Sequence, residues 1–252
     1  SGGAWAAHMI SDLGDGRFDG AWLAQNFETL QPEKAIWDKY ATLFAHADTE
    51  RERFVEFERW WNGYYTLSRE EILGITQNLF IGNRLEQGEM QLDAHCTVDL
   101  KRISNPLIIF ASDGDNITPP EQAMGWIGKL YPDTDALKAA GQRIVYMTHP
   151  RVGHLGIFVS GSVARLQHRA ILESLDDVEA LSPGLYEMVI DNPSGDPDCE
   201  TGDFEVRFEP REVDDLGIAS DDAALKQVAQ ISRINEAFYS TFVSPWIRAA
   251  TT

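Results

Sequence analysis

The stretch Asn105 to Phe158 constrains the fold more than any other, through two short pieces within it. The first is Pro106-Leu-Ile-Ile-Phe-Ala-Ser-Asp-Gly-Asp-Asn-Ile-Thr-Pro-Pro120, and the second is Ile144-Val-Tyr-Met-Thr-His-Pro-Arg-Val-Gly-His-Leu-Gly156. Each is a continuous apolar run of strand length that stops abruptly in small and polar residues. Such a run suits a strand buried on both faces, as in a parallel sheet with helices above and below. Between the two, Met124, Ile127 and Leu130 recur at helical spacing, so the unit reads strand, helix, strand. Asp115 falls just past the first strand and His154 in the loop after the second. Sites in open α/β sheets form outside the carboxyl ends of the strands. An acid and a histidine placed there can form the back half of a nucleophile–His–Asp arrangement.

A serine or cysteine is a weak nucleophile until an imidazole takes its proton, and a carboxylate holds that imidazole in the right tautomer. His154 sits between Gly153 and Leu155-Gly156, where small neighbours let a ring project. Taken alone, His154 reads equally as an exposed or capping residue, and Asp115 as an Asx-turn or helix cap. Their joint placement after consecutive core strands turns the balance toward catalysis. Asp113 competes for the acid's role. His149 is a weaker candidate for the base, since it precedes a proline, and it suits a structural role better. A third reading takes Asp113, Asp115 and His154 as metal ligands, but no spacing here is diagnostic of zinc or calcium. The expectation is therefore no metal and no cofactor.

No Gly-x-Ser-x-Gly or Gly-x-Cys-x-Gly occurs in the chain. Cys96 lacks an elbow's glycines, Cys199 lies in an acidic turn, and Ser160 and Ser162 follow His154. In α/β-hydrolases the order is nucleophile, acid, histidine. The nucleophile is therefore expected upstream of Ser1. The first residues, Ser1-Gly-Gly-Ala-Trp-Ala-Ala-His-Met9, have neither an initiator Met nor a signal peptide's basic start and apolar run. The chain reads as a piece of a longer protein.

The net charge is −19, and much of it is local: Glu173 to Asp222 holds 17 acidic residues against 2 basic ones, Arg207 and Arg211. Nucleic-acid binding and anionic membrane surfaces need an excess of Lys and Arg that this chain lacks. Cys96 and Cys199 form no CxxC pair and fit two free thiols in a reducing compartment, the cytoplasm. No run of about 20 apolar residues is present, so no transmembrane segment is expected.

Residues 1 to about 100 are rich in aromatics and poor in strands. Trp5, Met9 and Leu13 share a helical face, and Glu33 to Phe44 looks helical. Arg53 to Trp61 continues the aromatic theme, for which plain packing is the simplest reading. Ser68-Arg-Glu-Glu71 matches a capping box that opens a helix through Ile72, Ile75 and Leu79. After His154, Gly161 to Leu175 reads as a helix covering the sheet. Gly184 to Ile190 and Phe204 to Phe208 alternate like two half-buried strands joined by a long turn from Asp191 to Asp203. Asp221 to Ala250 is a final amphipathic helix carrying Leu225, Val228, Ile231, Ile234 and Phe238.

Phe110-Ala-Ser-Asp-Gly-Asp-Asn-Ile-Thr-Pro-Pro120 resembles the acid-bearing segment of poly(3-hydroxyalkanoate) synthases, and Gly153-His-Leu-Gly156 resembles their histidine loop. Leu30 through Trp37 and Tyr40, then Phe57 through Trp61-Asn-Gly63, resemble their lid region. Over almost its whole length the chain resembles a bacterial family related to these synthases, DUF3141, through Gly16-x-Phe18-Asp-Gly-Ala-Trp22 and His154-Leu-Gly-Ile-Phe-Val-Ser-Gly161. The resemblance implies an α/β-hydrolase fold, with Asp115 as orienting acid and His154 as general base. The implied layout is a lid at 1–97 and the C-terminal part of the core at 98–176. The acidic hairpin at 177–213 and the helical segment at 214–252, read from the residues, depart from the synthases. The resemblance further implies acyl transfer or hydrolysis on (3-hydroxy)acyl thioesters or esters, acyl-CoA among them. Lys101, Arg102, Arg151, Arg165 and Arg169 are candidates for meeting an anionic substrate. The alternative is a non-catalytic scaffold whose hairpin and last helix dock a partner.

Overall fold

The computed structural model of the chain describes residues 3–30, 32–154, 156–159, 164–192, 204–217 and 222–251. Two compact units are present, one made of Ser1–Arg84 with Asp222–Thr252 and the other of Leu85–Asp221.

The first unit is helical. Its strands Arg17–Asp19 (β1) and Thr66–Ser68 (β2) pair antiparallel, with Phe18 opposite Leu67. Ser68 caps the Arg69–Ile75 helix as its sequence predicts. Its hydroxyl accepts from the Glu71 N–H at 3.2 Å, and the Glu71 carboxylate accepts from the Ser68 N–H at 2.7 Å. Glu33–Asp38 and Thr76–Phe80 are π-helical turns. Among the aromatics, Trp61 donates its indole N–H to Glu28 at 2.8 Å. Trp37, Phe44 and Trp60 are exposed, so plain packing does not describe them.

In the helix Trp5–Leu13, Trp5, Met9 and Leu13 share a face, but its buried side chains are His8, Ser11 and Asp12. Asp12 Oδ2 accepts from the Tyr239 hydroxyl at 3.0 Å and from the Ser244 hydroxyl at 2.6 Å. Arg69 Nη2 lies 2.9 Å from His8 Nδ1, and His8 Nε2 lies 2.9 Å from Glu236 Oε1. A guanidinium only donates, so Nδ1 of His8 accepts and Nε2 carries the proton given to Glu236. The same network orients the long helix Asp222–Phe242. Among the described residues of this helix, Ser232 and Tyr239 are buried, while Val228, Ile231, Ile234 and Phe238 face outward. Satisfying the buried polar groups decides which face turns in, because a buried unpaired polar group costs about 1–3 kcal/mol.

The second unit holds the sheet. Gln91–Asp93 (β3) and Cys96–Thr97 (β4) form a small antiparallel ladder. Leu107–Ser112 (β5), Arg143–His149 (β6), Gly184–Asp191 (β7) and Glu205–Arg211 (β8) form a four-stranded sheet in that order. β5 and β6 are parallel, pairing Leu107 with Ile144 through Ser112 with His149. β6 and β7 are parallel, and β7 and β8 antiparallel. The hairpin at 184–208 thus continues the sheet. Its long turn, with Cys199, falls largely within 193–203, and Ser160 and Ser162 fall within 160–163. Both segments lie outside the described residues. Of the helix expected from Gly161, the described part is a π-helical turn Ala164–His168 followed by Arg169–Glu173.

Successive residues of β6 point to opposite faces, and both faces are covered. Ile144 and Tyr146 join Met124, Ile127, Leu137 and Leu185 on one side. Val145 and Met147 join Ala170, Val178 and Met188 on the other. This is the double burial that an unbroken apolar run predicts, and each fully buried aliphatic side chain contributes roughly 1.5–3 kcal/mol. The helix Pro120–Leu130 follows β5 with a proline in its first turn, where the missing N–H costs nothing. Thr134–Ala139 leads to β6, capped by Asp133, which accepts from the Ala136 N–H at 2.7 Å. Together these elements make a mixed α/β architecture with a mostly parallel sheet. Among the described residues no helix is long and apolar enough to cross a membrane.

Candidate active site

Parallel pairing of β5 and β6 brings their carboxyl ends side by side, with Ser112 opposite His149. Past those ends the two chains are tied together. The Asp113 N–H donates to the His149 carbonyl at 3.0 Å. Ser112 Oγ lies 2.8 Å from the His149 carbonyl oxygen and 2.6 Å from that of Val152. The same hydroxyl oxygen accepts from the Gly114 N–H at 3.2 Å. Gly114 permits this closeness. A Cβ there would stand 2.5 Å from the Arg151 carbonyl carbon and 2.8 Å from the Val152 oxygen.

Asp115 is buried at the mouth of this junction. Its Oδ1 accepts from the N–H groups of Ile117 at 2.8 Å and Thr118 at 2.9 Å, which is the Asx-turn expected of it. Its Oδ2 accepts from the Thr118 hydroxyl at 2.7 Å and lies 3.0 Å from His154 Nδ1. The turn role and the histidine pairing therefore coexist, Oδ1 serving the turn and lying 3.3 Å from His154 Nδ1 while Oδ2 makes the shorter contact. Burial pushes the Asp115 pKa up. The Thr118 N–H, the Thr118 hydroxyl, the Ile117 N–H and His154 together outweigh it and hold the pKa at about 2. The group is thus a carboxylate at any physiological pH.

A carboxylate only accepts, so His154 Nδ1 carries the proton and Nε2 holds the lone pair. Thr118 Oγ1, 3.2 Å from Nδ1, is a second acceptor for that proton. The pair lines a cavity of about 150 Å³ shared with Phe110, Ile157 and Phe158. An imidazole so held can act as a base toward a group presented in that cavity.

The structure brings Asp115 and His154 together and separates the other candidates from that role. Asp113 is exposed at the end of β5. His149 Nδ1 accepts from the N–H groups of Arg151 at 3.2 Å and Val152 at 3.1 Å, a structural use. Cys96 is an exposed free thiol on β4. Among the described residues no group of three or more His, Cys, Asp or Glu is placed to hold a metal ion. The sequence reading missed two contributors, Ser112 and Thr118. Thr118 carried a legible signal, standing three residues after an Asp in a turn. Ser112 carried none, because its role depends on the neighbouring strand.

The sequence pattern of the family described as "Protein of unknown function (DUF3141)" matches residues 1–252. The chain belongs to the DUF3141 family. This DUF3141 chain is 43% identical over 260 residues to a Rhizobium meliloti protein named "Uncharacterized protein in ackA 5'region", covering 100% of the chain and 35% of that protein. It is 26% identical over 149 residues to the poly(3-hydroxyalkanoate) polymerase subunit PhaC of Haloferax mediterranei, covering 58% of the chain and 28% of that subunit. The DUF3141 chain thus spans about a third of the length of the first relative. No solved structure matches it.

Proposed function

We propose that residues 1–252 supply the acid and the base of an α/β-hydrolase-type site. The whole protein would transfer or hydrolyse acyl groups of (3-hydroxy)acyl thioesters or esters. The observation that carries this reading is the 3.0 Å contact between Asp115 Oδ2 and His154 Nδ1, past the ends of adjacent parallel strands. The distant similarity to a poly(3-hydroxyalkanoate) polymerase subunit supports the substrate class. In this reading residues 98–176 are the C-terminal part of the catalytic core, and residues 1–97 are its lid.

The attacking thiol or hydroxyl comes from a part of the protein outside residues 1–252. His154 Nε2 takes its proton as the sulfur or oxygen attacks the acyl carbonyl, and Asp115 stabilises the imidazolium that forms. The imidazolium returns the proton to the leaving thiolate or alkoxide as the tetrahedral intermediate collapses to an acyl-enzyme. Water or a second hydroxyl then repeats the cycle. Backbone N–H groups beside the nucleophile would hold the oxyanion. Arg151, on the turn between His149 and His154, is a candidate for meeting an anionic CoA. The cytoplasm is the proposed location, where acyl-CoA is found.

One observation favours a second reading, a non-catalytic scaffold: the outward apolar stripe of Val228, Ile231, Ile234 and Phe238 suits a docking face better than an enzyme surface. The two separate in one assay. Full-length protein is incubated with 3-hydroxybutyryl-CoA and, separately, with p-nitrophenyl butyrate, and release of CoA or nitrophenol is followed. Turnover of the thioester or the ester is expected. Turnover of neither contradicts the enzymatic reading and leaves the scaffold.

A further inference from the structure

We infer that neutral His149 is a positioning residue for His154: its Nδ1 gathers the N–H groups of Arg151 and Val152 into the turn that presents the His154 loop to Asp115. The two donors stand 3.2 and 3.1 Å from that one ring nitrogen. His149 also faces the acid's side of the junction, since its carbonyl accepts from the Asp113 N–H at 3.0 Å and lies 2.8 Å from Ser112 Oγ. One residue therefore touches both the segment leading to Asp115 and the segment leading to His154. Beyond it, Gly156 N–H closes on the Gly153 carbonyl at 2.9 Å, which bends the chain around His154.

The chemistry of imidazole makes this arrangement conditional. A ring nitrogen accepts only while it is unprotonated, so Nδ1 must be bare and Nε2 must carry the proton. Protonation at Nδ1 would set an N–H against two N–H groups and leave both backbone donors without their acceptor. Among the described residues, the charged group acting on the His149 ring is Arg151 on its own turn, and Asp113 at the end of β5 meets His149 through its backbone N–H. On β7, Glu187 stands opposite Tyr146, three residues back along β6. Burial, then the positive charge of Arg151, pushes the His149 pKa below the usual histidine value. The turn therefore persists to lower pH than an ordinary histidine would allow, and it opens as pH falls through that lowered value. This inference rests on the acid–base reading of Asp115 and His154 for its effect on rate, but not for its effect on the turn.

Asparagine separates acceptor from titration, because its Oδ1 occupies the place of His Nδ1 and does not protonate. Hydrogen exchange by mass spectrometry on the full-length protein, corrected for intrinsic pH dependence, reads the 151 and 152 amides. The acid limb of kcat/KM for acyl-ester hydrolysis reads the site. Wild type is expected to lose amide protection as pH falls through the His149 titration. His149→Asn is expected to keep protection across that range and to retain kcat/KM, with the part of the acid limb that follows the His149 titration removed. His149→Leu is expected to lose protection at all pH values and about 10- to 100-fold in kcat/KM, the scale of a catalytic group misplaced by about an ångström. Wild-type-like protection in His149→Leu overturns the inference. If His149→Leu does not fold, His149→Asn decides, and a pH response of its amides unchanged from wild type overturns it. A protein inactive on every ester leaves the exchange result standing, so failure of the proposed activity and failure of this inference are told apart.

Discussion

Asp115 Oδ2 lies 3.0 Å from His154 Nδ1 across 39 positions of sequence. Two strand ends, one glycine and one serine make that contact. Parallel register puts Ser112 beside His149, Gly114 lets the backbones touch, and the Ser112 hydroxyl bridges them. The histidine is placed by its loop and then locked by a carboxylate that three other donors, the Thr118 N–H and hydroxyl and the Ile117 N–H, help hold ionised.

Asp115 should contribute stability that disappears in acid. Its pKa is lowered from 3.8 to about 2 on folding, so the unfolded chain binds the proton more readily. The contribution is complete above about pH 4 and is lost as pH falls toward 2, amounting to about 2 kcal/mol. Urea unfolding between pH 5 and 3 should show a shallower acid dependence in Asp115→Asn than in wild type. An identical slope in both would contradict the assignment.

Thr118→Val removes the hydroxyl that donates to Asp115 at 2.7 Å while keeping the shape. The bond goes to a charged acceptor, so about 1.5–3 kcal/mol of stability should be lost. The carboxyl carbon of Asp115, followed by NMR, should titrate at a higher pH than in wild type. An unmoved titration would show that the hydroxyl is idle.

Glycine positions divide by what stands over them. Gly114→Ala places a methyl 2.5 Å from the Arg151 carbonyl carbon, and should cost about 1–3 kcal/mol while parting the two loops. Gly153→Ala, beside His154, meets nothing within 4 Å and should be neutral to within about 0.5 kcal/mol. Denaturant midpoints of the two variants check the contrast, and equal losses would refute it.

Tyr239 anchors the polar interior of the helical unit. Burial and its bond to Asp12 push its pKa up to about 12. A phenol whose pKa is raised on folding stabilises fully below about pH 10, and that stability is lost as pH rises toward 12. Tyr239→Phe should therefore weaken the unit by about 1.5–3 kcal/mol near neutrality, since the bond goes to a carboxylate, and flatten its alkaline unfolding, as read by circular dichroism against pH. Unaltered alkaline unfolding would contradict the buried bond.

What the sequence disclosed and what it hid follow from range of interaction. The β5 and β6 strands were legible because double burial leaves an unbroken apolar run, as in Leu107 to Ala111 and Ile144 to Met147. The Ser68 capping box was legible because its bonds span three residues. The helix faces were not. Periodicity put Trp5, Met9 and Leu13 on one face and Val228, Ile231, Ile234 and Phe238 on another, whereas among the described residues of these helices those buried are His8, Ser11, Asp12, Ser232 and Tyr239. Hydrophobic spacing carries no record of a polar network whose members lie more than 200 positions apart. At the site, Asp115 and His154 stood out by their place at strand ends. Ser112 did not, because its partners His149 and Val152 come from another strand and its loop.

The central claim, that His154 is the base and Asp115 its orienting acid, is tested most directly by kcat/KM of the full-length protein on 3-hydroxybutyryl-CoA, comparing wild type with His154→Ala. Loss of a general base predicts a fall of about 10²- to 10⁴-fold, with denaturant stability close to wild type. Activity of the variant within a few-fold of wild type would contradict the account.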